Sequence, residues 1–271
     1  LRQYLERALP HSYKVTRNQL HGLDYSSKLS PWLALGCISA RSVMQELKQF
    51  ESEQGVNEGS YWLWFELLWR DYFRVLHLKY GKQLYCASGL NQSDKPMHNP
   101  RGFERWRSGT TGESIVDAGM RELNATGFMH NRVRMIVASF LVKHLLIDWR
   151  WGEAYFADHL IDFDLAANNG GWQWASSSGC DAQPYFRIFN PVTQSERFDP
   201  QGKFIRRYLP QLASLPDACI HAPWQARELE LAAAGVELGK TYPHPVVDHA
   251  EARERTLLRY AVVKKPNATP K

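Results

Sequence analysis

The chain has 271 residues, 44% hydrophobic and 23% charged, a composition that excludes intrinsic disorder over most of its length and supplies enough apolar surface for a substantial core. No apolar run reaches the ~18 residues that a membrane-spanning helix needs. A formal charge of +5 and a pI of about 9.0 are compatible with a nucleic-acid partner without requiring one. Cys37, Cys86, Cys180 and Cys219 lie far apart with no CxxC pair, which argues against a zinc cage or a disulfide framework and for a reducing, intracellular setting. The chain starts at Leu1 with no secretory pattern behind it, as expected of a fragment or processed form of something soluble. Aromatic residues reach 13%, with Trp 10, Tyr 12 and Phe 12, more tryptophan than packing alone calls for.

Helical patterning dominates, and strands should be few. In DYSSKLSPWLALG, residues 24–36, Pro31 suits the first turn of a helix with Ser30 before it as N-cap. Ser26, Ser27 and Ser30 then gather hydroxyls and free N–H groups where a phosphate is attracted, although an ordinary capped helix accounts for the same residues. Residues 61–80 are apolar nearly all round with no breaker, the pattern of a deeply buried helix. On it Trp62, Glu66, Trp69 and Phe73 share one face. A carboxylate among indoles needs a partner; Arg70 at i+4 is one candidate, and a cavity floored by aromatic rings is the alternative.

Residues 86–103 read as a polar loop. A helix over 114–124 starts at an N-cap Ser114 and stops before Gly127, and another over 131–147 places Asn131, Arg134 and Met135 on one face. A helix over 152–160 precedes a long irregular segment, 164–200, of the kind that is usually functional or disordered. Residues 161–178, LIDFDLAANNGGWQWASS, offer two carboxylates, paired amides, a Gly-Gly bend and two indoles to a planar polar ligand. Further helices are expected at 202–209 and 248–263, so that a single helical domain occupies 1–263 and a disordered tail 264–271.

The motifs YSSKLSPWLALG, FELLWRDYFR, IVDA, MRELNATGFMHNRVRMIVASFLVK, LLIDWR, LIDFDLAANNGGWQWASSSG and PYFRIFNPVTQSERFDPQG together resemble the cryptochrome/photolyase family. The resemblance runs from about Tyr13 to near Tyr260 and implies an all-α fold, the C-terminal FAD-binding domain, with the family's N-terminal α/β antenna domain absent. YKVTRNQLHGLDYSSKLSPWLALG and ELLWRDYFRVLHLKYG are similar to the DASH branch. AANNGGWQWAS, HNRVRM and FNPVTQSERFDP are similar to class I cyclobutane pyrimidine dimer photolyases instead.

What the resemblance implies can be stated residue by residue. Tyr13, Ser26, Ser27, Lys28, Leu29 and Ser30 match contacts to FAD phosphate and sugar, and Trp62 belongs to the aromatic stretch that flanks FAD. Asp162, Phe163 and Asp164 match the segment along flavin and adenine, Arg134 would pair with Asp162, and Asn168 would face flavin N5. Trp69, Trp174 and Met135 match the apolar walls around an extruded dimer, and Glu66 and Asn131 its polar anchors. Arg17, Arg132 and Gln194 match DNA-contacting positions. The implied activity is light-driven repair of cyclobutane pyrimidine dimers by electron transfer from excited, reduced anionic FAD, a carbon–carbon lyase reaction on UV-damaged DNA.

Trp172 and Trp149 match the inner and middle members of the family's electron-transfer tryptophans, whereas the third position falls on Pro96; Trp106, Trp151 and Tyr85 are the nearest replacements. The same reasoning expects a monomer of prokaryotic, cytoplasmic type with no metal and no membrane contact. It expects no antenna pterin or deazaflavin on this chain, unless a separate antenna domain or subunit supplies one. Three other readings compete: a photosensory FAD protein without repair, a non-catalytic nucleic-acid-binding module, and DASH-type repair restricted to single-stranded DNA. Retention of Glu66, Trp69, Asn131, Met135 and Trp174 argues against the first, and the second would carry no yellow chromophore.

Overall fold

The computed structural model describes residues 1–90, 98–179 and 187–260. Two short helices, α1 (Arg2–Glu6) and α2 (Tyr13–Thr16), lead through α3 (Ser30–Ala34) to α4 (Ala40–Gln54) and the long α5 (Glu58–Tyr80). Then come α6 (Pro100–Arg107), α7 (Ser114–Thr126), α8 (Asn131–Ser139), α9 (Trp149–His159) and α10 (Leu165–Ser176). The chain closes with α11 (Pro191–Phe198), α12 (Lys203–Tyr208), α13 (Asp217–Ile220), α14 (Glu228–Ala233) and α15 (His249–Tyr260). No strand forms among the described residues beyond one isolated bridge between Leu238 and Tyr242, so the all-α expectation holds.

Local chemistry sets the helix ends. Asn57 and Ser60 cap α5 reciprocally, and Gly81 closes it with φ 51°. Ser39 accepts from the Ser42 N–H to start α4, a helix that the sequence reading did not anticipate. Its apolar residues Val43, Leu47 and Phe50 are spaced to bury one face, a signal that periodicity could have found. The core lies where α7, α8, α9 and α10 meet, around Trp106, Met120, Phe140, Leu141 and Trp172. A smaller cluster, Tyr4, Tyr13, Leu47, Phe50 and Leu63, joins α4 and α5 to the N-terminal helices.

Several expectations require correction. Ser30 is the first residue of α3 rather than its cap, and the Leu29 N-cap makes no side-chain bond. Ser114 likewise lies inside α7, with Glu113 at the N-cap. The segment 164–200 is not irregular throughout: Asp164 caps α10 and Asn190 caps α11, so two helices occupy most of what is described there. Asn99 caps α6, which cuts into the loop expected over 86–103. The helix over 131–147 stops at Ser139, continues as a π turn over Phe140–His144, and leaves through a left-handed Leu146.

Nor is α5 deeply buried. Tyr61, Leu68, Tyr72, Val75 and Leu78 are exposed, because neighbouring elements cover only part of its circumference. The tail expected at 264–271 lies outside the described residues.

Candidate functional site

Helix α10 packs against both α5 and α8, and these three helices carry most of the residues singled out above. Arg134 of α8 places Nη2 2.9 and 2.8 Å from the two carboxylate oxygens of Asp162, while its Nε donates to the Met129 carbonyl. Asp162 is buried, so this pair fixes the loop before α10 as the sequence implied. Phe163 packs against the main core. Asp164 accepts from the Ala167 N–H and from Arg74 of α5 at 2.6 Å. Burial would lift its carboxyl, but those bonds outweigh it and hold it below the usual range. Arg74 was not identified from sequence, since nothing in the spacing links α5 to a residue 90 positions away.

Beyond Asp164, one face of α10 is open. Asn168 donates from Nδ2 to the Glu153 carbonyl, and its Oδ1 takes no partner among the described residues. A Cβ at Gly171, one turn on, would meet nothing within 4 Å, and Leu165 on the same face is exposed. On the adjoining positions Asn169 donates to Glu153 Oε1 at 2.7 Å and Gln173 donates to Asn169 Oδ1 at 2.9 Å, an amide ladder that anchors the buried side. The open face is therefore presented by a helix whose other face is fixed.

The serine segment is equally unspent. Ser26, Ser27 and Ser30 make no side-chain hydrogen bond among the described residues. A five-residue helix supplies little dipole, so free hydroxyls rather than a helix end are what the segment offers an anion. Lys28 holds a left-handed backbone, φ 56°, and donates to the Tyr25 hydroxyl; burial lowers its ammonium pKa to about 8. Leu29 is buried beneath it. This donor set, with the free Asn168 oxygen and the open α10 face, fits a dinucleotide bearing phosphates and a flat polar ring.

Glu66 does not pair with Arg70. Its partner is Arg17 of the N-terminal segment, whose guanidinium bonds Glu66 and also lies 4.6 Å from the centroid of Trp62; Lys14 covers that ring at 3.4 Å. Arg70 instead donates to the Leu33 carbonyl and reaches Asp164 at 3.9 Å. Burial raises the Glu66 carboxyl, with Arg17 and Lys14 opposing. Tyr13 is buried beside the same pair, and its hydroxyl is pushed up by burial.

Trp62 thus joins the Glu66 group. Trp69 stands one turn further along α5 against Phe65, Tyr72 and Phe73, and Trp174 on α10 meets Phe189 at 6.1 Å. Asn131 is exposed, and Met135 is half-buried.

Arg132 donates to Asn18 Oδ1 and lies 4.6 Å from the centroid of Phe198. Burial lowers its guanidinium pKa, and the positive charges of Arg17 and Arg197 add to that, so three arginines from α8, α11 and the segment after α2 form one basic region. Gln194 is half-buried on α11. Asn18, Phe189 and Arg197 escaped the sequence reading because each acquires its place only through contacts distant in the chain.

Trp172 is almost completely buried; the helix carrying Gly152 packs on its ring so closely that a Cβ there would overlap it. Its ring neighbours are Phe156 at 5.0 Å and Trp106 at 6.1 Å. Trp149 is buried too and donates to the Ala87 carbonyl. Trp106 connects outward through Phe103 to Trp151 at ring distances of 5.7 and 5.2 Å, and through Tyr155 at 5.8 Å. Tyr85 is exposed beside His77, and Pro96 lies outside the described residues.

Residues 62–262 match the family profile described as the FAD binding domain of DNA photolyase. A cryptochrome DASH from Synechocystis sp. is 50% identical over 243 residues, covering 89% of this chain and 50% of the relative. A deoxyribodipyrimidine photo-lyase from Escherichia coli is 49% identical over 246 residues, covering 90% of this chain and 51% of the relative. Among solved structures, the Synechocystis sp. cryptochrome superposes with a TM-score of 0.90 at 47% identity, over 94% of this chain and 54% of that one. A class III photolyase from Agrobacterium tumefaciens gives 0.90 at 43% identity, over 96% and 55%. The chain spans about half the length of the relatives it matches. With a helical fold and these likenesses in agreement, the chain belongs to the cryptochrome/photolyase family and is built as its helical FAD-binding domain.

Proposed function

We propose that this chain binds FAD and, in light, reverses cyclobutane pyrimidine dimers in DNA. The observation that carries the reading is the Glu66–Arg17 pair: a half-buried carboxyl whose pKa is raised by desolvation, one helical turn from Trp69 on the same face of α5. A structural ion pair would not need indoles beside it. A flat, weakly stacked lesion extruded from the duplex does need rings for walls and a polar anchor between them.

In this reading Ser26, Ser27, Lys28 and Ser30 hold the FAD diphosphate and sugar, with Tyr13 and Leu29 closing that side. Asp162, held by Arg134, orients the ring system along Phe163 and Asp164, and the free Asn168 oxygen faces N5. The chemistry FAD supplies is transfer of one electron to the dimer on excitation of its reduced, anionic form, and acceptance of its return. Trp69, Trp174 and Met135 exclude water from the dimer, and Asn131 and Glu66 bond its base edges. In its protonated form the Glu66 carboxyl would donate to a dimer carbonyl, and a bond that strengthens as negative charge develops there favours splitting. Arg17, Arg132 and Gln194 meet the DNA strand, the arginines on phosphates.

The test is direct. Protein purified with its own flavin is reduced, mixed with dimer-containing oligonucleotide and illuminated with blue light; intact thymines should reappear. A flavin-loaded chain that leaves every dimer in place supports a second reading, a light sensor, which the likeness to proteins named cryptochrome DASH favours. A colourless protein would refute both.

A further inference from the structure

Lys143 sits in the π turn after α8 and is 1% exposed. Among the described residues no carboxylate pairs with its ammonium, and burial lowers its pKa to about 7. A buried, unpaired cation is costly, and a methionine of similar length would avoid the cost. Turns of the π type recur where a helix is adjusted for function rather than for packing.

What holds the ammonium is informative. Nζ donates to Ser177 Oγ at 2.8 Å and lies 3.6 Å from the centroid of the Tyr260 ring, and the Lys143 carbonyl accepts from the Thr256 hydroxyl. Thr256 and Tyr260 belong to α15. Ser177 is the left-handed residue, φ 62°, that ends α10, a conformation disfavoured for a residue with a side chain. It lies three positions after Trp174, whose carbonyl accepts from the Ser177 N–H at 3.3 Å; the neighbouring Ser178 N–H returns to the Gln173 carbonyl at 3.0 Å. The ammonium therefore touches the last turn of the helix that carries one proposed wall of the dimer pocket.

We propose that Lys143 is a positioning residue: its ammonium locks the left-handed end of α10 against α15, holds Trp174 in place, and so sets the preference for dimer-containing over undamaged DNA. This rests on the reading of Trp174 as a pocket wall.

The test compares affinities of the flavin-loaded chain for one oligonucleotide with and without a thymine dimer. Lys143→Met should lower the preference for the dimer about tenfold, the scale of one charge-assisted hydrogen bond, while affinity for undamaged DNA and the flavin absorption stay unchanged. Ser177→Ala removes the same bond and leaves the lysine's volume, so it serves if the methionine variant does not fold. It should reproduce the loss, and the double variant should lose no more than either single one. An unchanged preference in Lys143→Met, or losses that multiply in the double variant, overturns the proposal. Trp174→Ala separates the two failures. If it lowers the preference and Lys143→Met does not, only the role of Lys143 falls; if it has no effect, the pocket reading falls and this inference with it.

Discussion

Arg17 and Glu66 form an ion pair across 49 positions of sequence, joining the segment after α2 to the middle of α5. The pair puts a guanidinium where Arg70, one turn away on the same helix, was the local candidate. It also couples the proposed dimer anchor to a residue expected on the DNA strand. In the proposed reading, a DNA phosphate would compete with the carboxylate for this guanidinium.

Glu66→Ala should lower repair per absorbed photon more than it lowers affinity for dimer-containing DNA, because its proposed bond strengthens only as charge develops on the dimer. Trp174→Ala should do the reverse, since a lost stacking wall costs roughly 1–3 kcal/mol of binding. Quantum yields and binding curves on the same oligonucleotide separate the two. An unchanged yield in Glu66→Ala would refute its electrostatic role.

Asp162→Ala should strip the chain of flavin. Removing the carboxylate leaves Arg134 half-buried with, among the described residues, only the Met129 carbonyl to accept from it, and breaking a buried pair typically costs ~3–5 kcal/mol. The ratio of flavin to protein absorbance in the purified variant reads the effect, and a wild-type ratio would remove Asp162 from the site.

Light-driven reduction of bound, oxidised flavin should stop in Trp172→Phe, while repair by chemically reduced protein persists. The ring contacts from Trp172 through Trp106 and Phe103 to Trp151 would give electrons a way inward. Trp106→Phe and Trp151→Phe should then each slow photoreduction, followed by flavin absorbance under anaerobic illumination with an external donor. Full rates in all three variants would mean that electrons enter elsewhere.

Stability should fall as pH rises across the titration of Glu122. Burial lifts its carboxyl from 4.5 to about 6, with bonds from Tyr208 and the His130 backbone opposing. A raised folded-state value means that the native protein binds the extra proton. The contribution is complete below the unfolded value of 4.5 and is lost as pH climbs through about 6. Glu122→Gln should flatten that part of the profile in denaturant unfolding curves taken at each pH. An identical slope in variant and wild type would contradict the shift.

Much of the proposed site was legible in the linear chain because its residues come in short blocks. Asp162, Phe163, Asp164 and Asn168 lie within one loop and one helix turn, so a single local structure delivers them together. The free serines of residues 26–30 were legible for the same reason, although the five-residue α3 shows that hydroxyls, not a capped helix end, are what they offer. Apolar spacing placed α5, α7 and α8 because burial imposes a helical period on side chains. It could not say which side of α5 faces solvent, since that depends on what other elements cover.

Only the tertiary structure decided the partners of the charges. Glu66 takes Arg17 rather than Arg70, Asp164 takes Arg74, and Arg132 takes Asn18, each across a separation at which sequence carries no distance information. Periodicity reports burial, which every residue of a helix face shares. An ion pair is fixed by the position of two particular atoms, and those positions exist only once the helices have packed. The aromatic, carboxylate and serine content of the site was therefore written in the sequence, while its wiring was set by packing.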